Sequence, residues 1–111
     1  PRIAGPRRAK EIIFTGRPFS AEEALAWGVV NKVCAPESLL EETLETAGRI
    51  AANAPLSIQQ AKKSIHFGLQ MDVRSGMFFE IEAYNRLVGT EDRHEGVLAF
   101  NERRKPDFKG R

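Results

Sequence analysis

The sequence predicts a mainly α-helical protein of about five to six helices, with one short strand near residues 29–33. Apolar residues recur at three- and four-residue spacing over most of the chain, which is the period of an amphipathic helix. Capping residues and Gly or Pro breaks separate these stretches by only a few residues, which favours antiparallel neighbouring helices. Residues 29–33, Val-Val-Asn-Lys-Val, are rich in β-branched side chains and bounded by turn residues, as is typical of a strand.

Two short helices are expected before that strand. Gly-Pro at residues 5–6 begins the first, because proline is preset for the first helical turn, and Gly16 ends it. Ser20 and Glu23 match a capping box, in which the serine accepts from the N–H three residues on and the glutamate reaches back. Gly28 supplies the left-handed residue that stops the second helix.

Four longer helices are predicted to follow. Pro36 opens the first of them, and the Asn-Ala-Pro break at residues 53–55 separates it from the second. Asp72 is a good N-cap for the third. Thr90 caps the last, which is expected to run to about Glu102.

The third of these helices is apolar over more than a narrow stripe. Met77, Phe78 and Phe79 are adjacent, so they cannot all face one small core. We therefore expect other polypeptide, either missing chain or a partner subunit, to cover part of this helix.

Composition is that of an ordinary globular protein. Of the 111 residues, 29% are charged and 41% hydrophobic, which argues against disorder, and such a length can bury about two thirds of the unfolded chain's surface. No apolar run reaches the ~20 residues of a membrane helix, and no secretory signal is recognisable. Cys34 is alone, which excludes an internal disulfide and favours a reducing, intracellular setting. Because the first residue is Pro1, we expect a processed product or a fragment.

Most enzymatic signatures are absent. There is no dinucleotide or phosphate-binding glycine motif, no nucleophile elbow and no CxxC pair. His66 and His94 are too far apart in the chain for a metal-binding pair, and no metal site is predicted. The acidic pairs at residues 80/82 and 91/92 have ordinary structural explanations, the second as acids in the first turn of a helix. These residues alone do not indicate a catalyst.

The last helix carries the one candidate binding site. Phe100 and Arg103 lie three residues apart, so a helix would place an aromatic ring one turn before a guanidinium. Such a pair can pack against a flat heterocycle while the cation meets a phosphate. The ordinary alternative makes Phe100 a core residue and lets Arg103 complement the negative end of the helix.

Two readings without this ligand remain open. The first is an assembly module, which the broad apolar face of residues 77–88 supports. The second is a small helical nucleic-acid-binding domain that uses the basic ends, residues 1–17 and 102–111. Acidic stretches at 37–45 and 91–95 interrupt any continuous basic patch, so nucleic acid is not expected as a partner. The net charge of the whole chain is only +2.

Two blocks of the chain resemble the enoyl-CoA hydratase/isomerase (crotonase) family. The segment PRIAGPRRAKEIIFTGRPFSAEEALAWGVVNKVC is similar to one family block, and TEDRHEGVLAFNERRKPDFKG to the family's ending. An Ala-Ala-Asn-Ala-Pro break at residues 51–55 lies between them. The positions that match the ending are Asp92, Glu95, Gly96, Ala99, Phe100, Glu102 or Asn101, Arg104, Pro106, Phe108 and Gly110. Two departures are Val29-Val30 for the usual Leu-Val and Arg103 for the usual Lys.

The resemblance implies the helical C-terminal part of a crotonase-like fold. Residues 1–35 would be the end of the crotonase core, with two short helices and a strand. Residues 36–111 would be a C-terminal helical segment for trimerisation and for covering coenzyme A. The catalytic spiral core would be absent, with every catalytic group upstream of residue 1.

The resemblance also implies a function. The complete protein would process acyl-CoA, most simply as an enoyl-CoA hydratase that adds water syn to a 2-enoyl-CoA in fatty-acid or branched-chain acyl-CoA metabolism. Phe100 and Arg103 would contact the adenosine-phosphate part of coenzyme A, and Tyr84 the acyl chain. The expected partners are an acyl-CoA substrate and further copies of the chain (trimer or hexamer), with no membrane. The thioester is the substrate, and no covalently bound cofactor is expected. The location would be cytoplasmic, or the mitochondrial matrix in a eukaryote, and the 111 residues alone would be inactive.

Overall fold

A computed structural model describes all 111 residues and contains six α-helices and no strand. The predicted helical class is therefore confirmed, and the number of helices is at the upper end of the expectation. The chain divides into two compact units, residues 1–42 and 43–111, and the division falls near the start of the third helix. The helices are α1 Pro6–Thr15, α2 Ala21–Ala26, α3 Leu39–Ala51, α4 Pro55–Gly68, α5 Val73–Val88 and α6 Glu91–Glu102.

The first unit contains α1 and α2, and both end as the sequence predicts. Gly16 follows α1 with φ 64°, and Gly28 follows α2 with φ 74°. Such left-handed angles suit glycine, which has no Cβ to clash. The capping box is complete, because Ser20 Oγ accepts from the Glu23 amide at 3.1 Å while Glu23 Oε2 accepts from the Ser20 amide at 3.0 Å.

The strand predicted near residues 29–33 is wrong. The amides of Val29 and Val30 both donate to the carbonyl of Ala24, at 2.9 and 3.5 Å, so the chain turns back onto the end of α2. Without a neighbouring strand to pair with, the β-branched side chains do not suffice to make a ladder.

The helix expected to open at Pro36 begins instead at Leu39. The amides of Ser38 and Leu39 donate to the carbonyls of Ala35 and Pro36, which makes a turn ahead of the helix. Proline therefore lies in this preceding turn, where its missing N–H costs nothing. In contrast, the Asp72 and Thr90 caps are confirmed, since each side chain accepts from the amide three residues on.

In the second unit, α4 and α5 form an antiparallel hairpin. At their joined ends the two helices approach closely, because a Cβ placed on Gly76 would lie only 3.6 Å from the Cα of Gly68. A groove of about 570 Å³ runs between the two helices.

The chain has no large apolar core of its own. Its buried hydrophobic residues are all alanines, and no large side chain is fully buried. The solvent-accessible surface is 9198 Å², whereas an unfolded chain of 12.4 kDa would expose about 18,000 Å² and a compact one about 6,100 Å². The chain thus buries about half of its unfolded surface, less than the two thirds that its length predicts.

The broad apolar face of α5 is exposed. Met77, Phe78, Ile81 and Tyr84 all present more than half of their surface to solvent. This agrees with the expectation that the chain does not cover this helix by itself. No helix has both the length and the apolar character needed to cross a membrane.

Candidate functional site

Phe100 lies in the last turn of α6 and is 83% exposed. The helix is well defined at its start, where Thr90 Oγ1 accepts from the Arg93 amide at 3.2 Å. The ring of Phe100 lines a concavity of about 470 Å³. The other lining residues are Ala54, Ser57, Asp92, Arg93, Gly96, Val97 and Phe108. Phe100 is therefore a surface aromatic in this chain, in contrast to the core residue of the ordinary alternative.

Arg103 lies one residue beyond α6 and adopts the left-handed conformation, with φ 54°. Its amide donates to the carbonyl of Phe100 at 3.2 Å, and the amide of Arg104 donates to that of Ala99 at 3.0 Å. This pair of bonds is the Schellman ending of a helix, which usually has glycine at the left-handed position. Because the chain leaves the helix here, the three-residue helical spacing does not set the direction of the Arg103 side chain. Its exposed guanidinium forms no hydrogen bond or ion pair within the chain.

Arg93 is a cation that our sequence analysis missed. It lines the same concavity as Phe100, whereas Arg103 does not line it. The side chain of Arg93 is exposed and has no carboxylate partner. Its spacing of seven residues from Phe100 corresponds to two helical turns, so the shared face could have been predicted from the sequence.

Tyr84 lies elsewhere in the second unit. It is 55% exposed on α5 and lines the groove between α4 and α5, together with Ala61, Ile65 and Met77. Ser57 lines both this groove and the concavity of Phe100. The structure therefore places the two aromatic candidates in separate depressions of the same unit.

Residues 104–111, here called the C-terminal tail, fold back along α6, and Phe108 of the tail lines the concavity. Glu95 binds the beginning of the tail: its carboxylate accepts from Arg104 Nη1 at 2.5 Å, Arg104 Nη2 at 2.8 Å and the Asp107 amide at 2.8 Å. Arg104 Nε also donates to Glu102 at 2.6 Å. Glu95 thus joins one face of α6 to residues nine and twelve positions further along the chain.

Asp92 binds the end of the tail. Its carboxylate is almost fully buried, with 3% of the residue exposed, and accepts from the amides of Lys109 at 2.6 Å and Gly110 at 2.8 Å. Its own amide donates to the Arg111 carbonyl at 3.1 Å. From the sequence, Asp92 was expected only to interact with the positive end of the helix dipole. In the structure, the main contacts of the Asp92 carboxylate are with the tail.

Two glycines lie where the tail contacts α6 and the start of α4. A Cβ on Gly96 would lie 3.6 Å from the ring of Phe108, and one on Gly110 would lie 3.6 Å from Pro55. Gly110 also has φ 76°, which disfavours any side chain there. Much of the ending motif that surrounds Phe100 therefore holds the tail against α6 and the start of α4.

Glu23, near the start of α2, already has partners within the chain. Glu23 is occupied by the Ser20 amide and by Arg17 Nη1, at 3.1 Å from Oε1, and the Ser20 amide is the main reason that its pKa is lowered. No group of three or more His, Cys, Asp or Glu side chains could hold a metal ion.

The attachment of the tail at Glu95 is expected to depend on pH. The Arg104 guanidinium, followed by the Asp107 amide, lowers the pKa of Glu95 from 4.5 to about 2. A lowered pKa stabilises the folded form above the unfolded value, so this contribution is complete above about pH 4.5 and is lost as the pH falls towards about 2.

We expect the amides of Arg104, Lys105 and Asp107 to exchange faster with solvent, relative to the Glu95→Gln variant at the same pH, as the pH falls through this range. Comparison at each pH removes the intrinsic pH dependence of hydrogen exchange. A ratio between the two proteins that stays constant from pH 5 to pH 2 would contradict the assignment.

The whole chain, residues 1–111, matches the family model for enoyl-CoA hydratase/isomerase. A short-chain-enoyl-CoA hydratase from Clostridium acetobutylicum is 40% identical over 111 residues, and a crotonyl-CoA hydratase from Syntrophomonas wolfei is 39% identical over 108. These alignments cover 99% and 97% of this chain, respectively. The chain spans 42% of the length of each of these relatives.

The solved structures agree with this similarity. An enoyl-CoA hydratase from Bacillus anthracis superposes with a TM-score of 0.97 at 43% identity, over 100% of this chain and 43% of that one. The family match over the full length, the sequence identity and the shared backbone all lead to one conclusion. The chain belongs to the enoyl-CoA hydratase/isomerase family.

Proposed function

We propose that the 111 residues are the helical part of an acyl-CoA-processing enzyme and form part of its coenzyme A site. The observation that carries the proposal is the exposed Phe100 ring, followed by Arg103 in a strained conformation with an unpaired guanidinium. A non-glycine residue in the left-handed region costs about 1–2 kcal/mol. Non-glycine residues held in sparsely populated backbone conformations cluster at functional sites.

The chemistry of the two side chains fits the nucleotide end of coenzyme A. An exposed aromatic ring offers a face on which adenine can stack, and a guanidinium can donate two parallel hydrogen bonds to a phosphate. Arg93 adds a second positive charge in the concavity of Phe100. We also propose that Tyr84 lines the path of the acyl chain. The apolar groove between α4 and α5, which Tyr84 lines, supports this assignment.

The substrate proposed for the complete protein is a 2-enoyl-CoA thioester, to which it adds water. This follows the names of the relatives, which are a crotonyl-CoA hydratase and a short-chain-enoyl-CoA hydratase. Such a reaction requires donors that stabilise the negative charge on the thioester oxygen and acids and bases that move protons. We propose that polypeptide outside these 111 residues supplies them. The placement of the chain at the C-terminal end of the enzyme stays a prediction.

A second role, in assembly, is supported by the exposed apolar face of α5. An apolar patch of this breadth is typical of an interface, because water would otherwise contact it at a large free-energy cost. We propose that further copies of the protein, as a trimer or hexamer, and the rest of its own chain cover this face. This role is compatible with binding of coenzyme A.

Charge reversal at Arg103 tests the ligand role. In the complete protein, Arg103→Glu is expected to raise the Kd for coenzyme A by about 10- to 100-fold. This factor corresponds to the loss of a charge-assisted hydrogen bond, which is worth about 1.5–3 kcal/mol. Dephospho-coenzyme A, which lacks the phosphate on the ribose, should lose much less affinity. Isothermal titration calorimetry with both ligands gives the comparison.

The control is Arg49→Glu, which reverses an exposed charge on α3 outside the concavity and should leave both affinities unchanged. Arg93→Glu shows which guanidinium contacts the phosphate. Unchanged binding of coenzyme A by the Arg103 and Arg93 variants would leave only the assembly role.

A further inference from the structure

The conformation of Arg103 needs an external support. Glycine is the usual residue at this left-handed position, and any residue with a Cβ makes this conformation less stable than glycine does. The two backbone hydrogen bonds that end α6 are common to all helices with this ending, so they do not by themselves explain how an arginine is kept there. The structure shows a further support in the side chains adjacent to Arg103.

Arg104 is the residue that supplies it. Its backbone amide is bound to Ala99, while its guanidinium is bound by both oxygens of Glu95 and by Glu102. The Glu95 side chain is only 22% exposed and the Arg104 side chain 38%. A two-pronged arginine–carboxylate pair has a defined direction as well as strength. The residue that follows Arg103 is therefore held at both its backbone and its side chain.

Glu95 then extends this attachment beyond Arg104. The same carboxylate accepts from the Asp107 amide at 2.8 Å, so the chain is bound again three residues later. Arg103 lies between the end of α6 and a segment fastened to α6 by Glu95. Rotation of Arg103 to an unstrained conformation would require this segment to move, which would break these bonds.

From this geometry we infer that Glu95 and Arg104 are positioning residues, which hold Arg103 in the left-handed conformation and so direct its guanidinium to the phosphate of the ligand. The inference rests on the proposed function, because it assigns the Glu95–Arg104 pair a role in the same coenzyme A site. Neither residue needs to contact the ligand. The rest of the family motif around them, including Phe108 on Gly96, would keep the tail in place.

The test uses the complete protein with Glu95→Gln, which keeps the size and most acceptor capacity of the side chain but removes its charge. We expect the Kd for coenzyme A to rise about three- to tenfold, while the Kd for dephospho-coenzyme A changes less than twofold. Amide hydrogen exchange at Arg104, Lys105 and Asp107, followed by mass spectrometry, should rise in the same variant. Glu45→Gln, which breaks the exposed Glu45–Arg49 pair on α3, is the matched control and should change neither readout.

A second pair of variants guards against a simple folding defect. Arg104→Lys keeps the charge but loses the two-pronged geometry, and it should show the same selective loss. The charge-swapped double variant, Glu95→Arg with Arg104→Glu, should restore part of the affinity for coenzyme A.

The outcomes separate this inference from the proposed function. If exchange rises but both ligands lose affinity equally, or neither does, the Glu95–Arg104 pair is only structural and the positioning inference is wrong. Unchanged exchange in Glu95→Gln would also overturn it. If instead Arg103→Glu and Arg93→Glu both leave the binding of coenzyme A intact, the proposed ligand role itself fails, whatever the exchange data show. If only Arg93→Glu weakens binding, the ligand role stands and the positioning inference is wrong.

Discussion

Replacement of Asp92 by Ala is expected to free the end of the C-terminal tail, at a cost of about 3 kcal/mol in local stability. The carboxylate is buried and accepts from two backbone amides, those of Lys109 and Gly110. Alanine offers neither amide an acceptor, and hydrogen bonds to a charged group are worth about 1.5–3 kcal/mol each. The amides of Lys109 and Gly110 should therefore exchange roughly a hundredfold faster in the complete protein, measured by hydrogen exchange.

A residue of the same type in the tail itself provides the control. Asp107 pairs with Lys109 through side chains that are 73% and 55% exposed, so Asp107→Asn should change exchange little. Asp92→Asn keeps one acceptor oxygen and should give an intermediate effect. If Asp92→Ala and Asp107→Asn are equally mild, the buried carboxylate does not hold the tail.

The 111 residues in isolation are expected to have no measurable hydratase activity and no sharp unfolding transition as a monomer. Enzymes of this kind owe rate enhancements of at least about 10⁶-fold to groups that we place outside the chain. Stability should be low for a separate reason: the buried hydrophobic residues are alanines, and the surface of 9198 Å² is well above that of a compact protein of this mass.

The measurements are turnover of crotonyl-CoA and thermal unfolding of the purified chain, with the complete protein as the reference. Binding of an apolar dye, together with association that increases with concentration, should accompany the missing transition, because the α5 face is exposed. Turnover by the isolated chain, or a monomer that melts cooperatively, would contradict the respective half of the prediction.

Features that depend on neighbouring residues were predictable. The capping box of Ser20 and Glu23 and the N-caps Asp72 and Thr90 formed as predicted, because each joins a side chain to an amide three residues away. The glycine endings of α1 and α2 depend only on the left-handed conformation. The wide apolar face of α5 also follows directly from the order of its residues.

Features that depend on residues distant in the sequence were not predictable. The valines at residues 29–30 satisfied every local preference for a strand, but the structure offers no strand to pair with them. For Glu95 and Asp92, the partners lie nine to eighteen residues further along the chain. The direction of the Arg103 side chain differs from the helical prediction for a related reason, because α6 ends one residue before Arg103.

By itself the sequence determined the helical class, most helix ends, the family resemblance and the choice of Phe100 and Arg103 as candidates. All of these follow from local backbone preferences or from the order of residue types. Only the tertiary structure decided that the tail folds back onto α6 and that Tyr84 lies in a different depression from Phe100. The physical reason is that these contacts join residues whose approach depends on how the chain returns on itself, and local conformational preferences carry no information about that return.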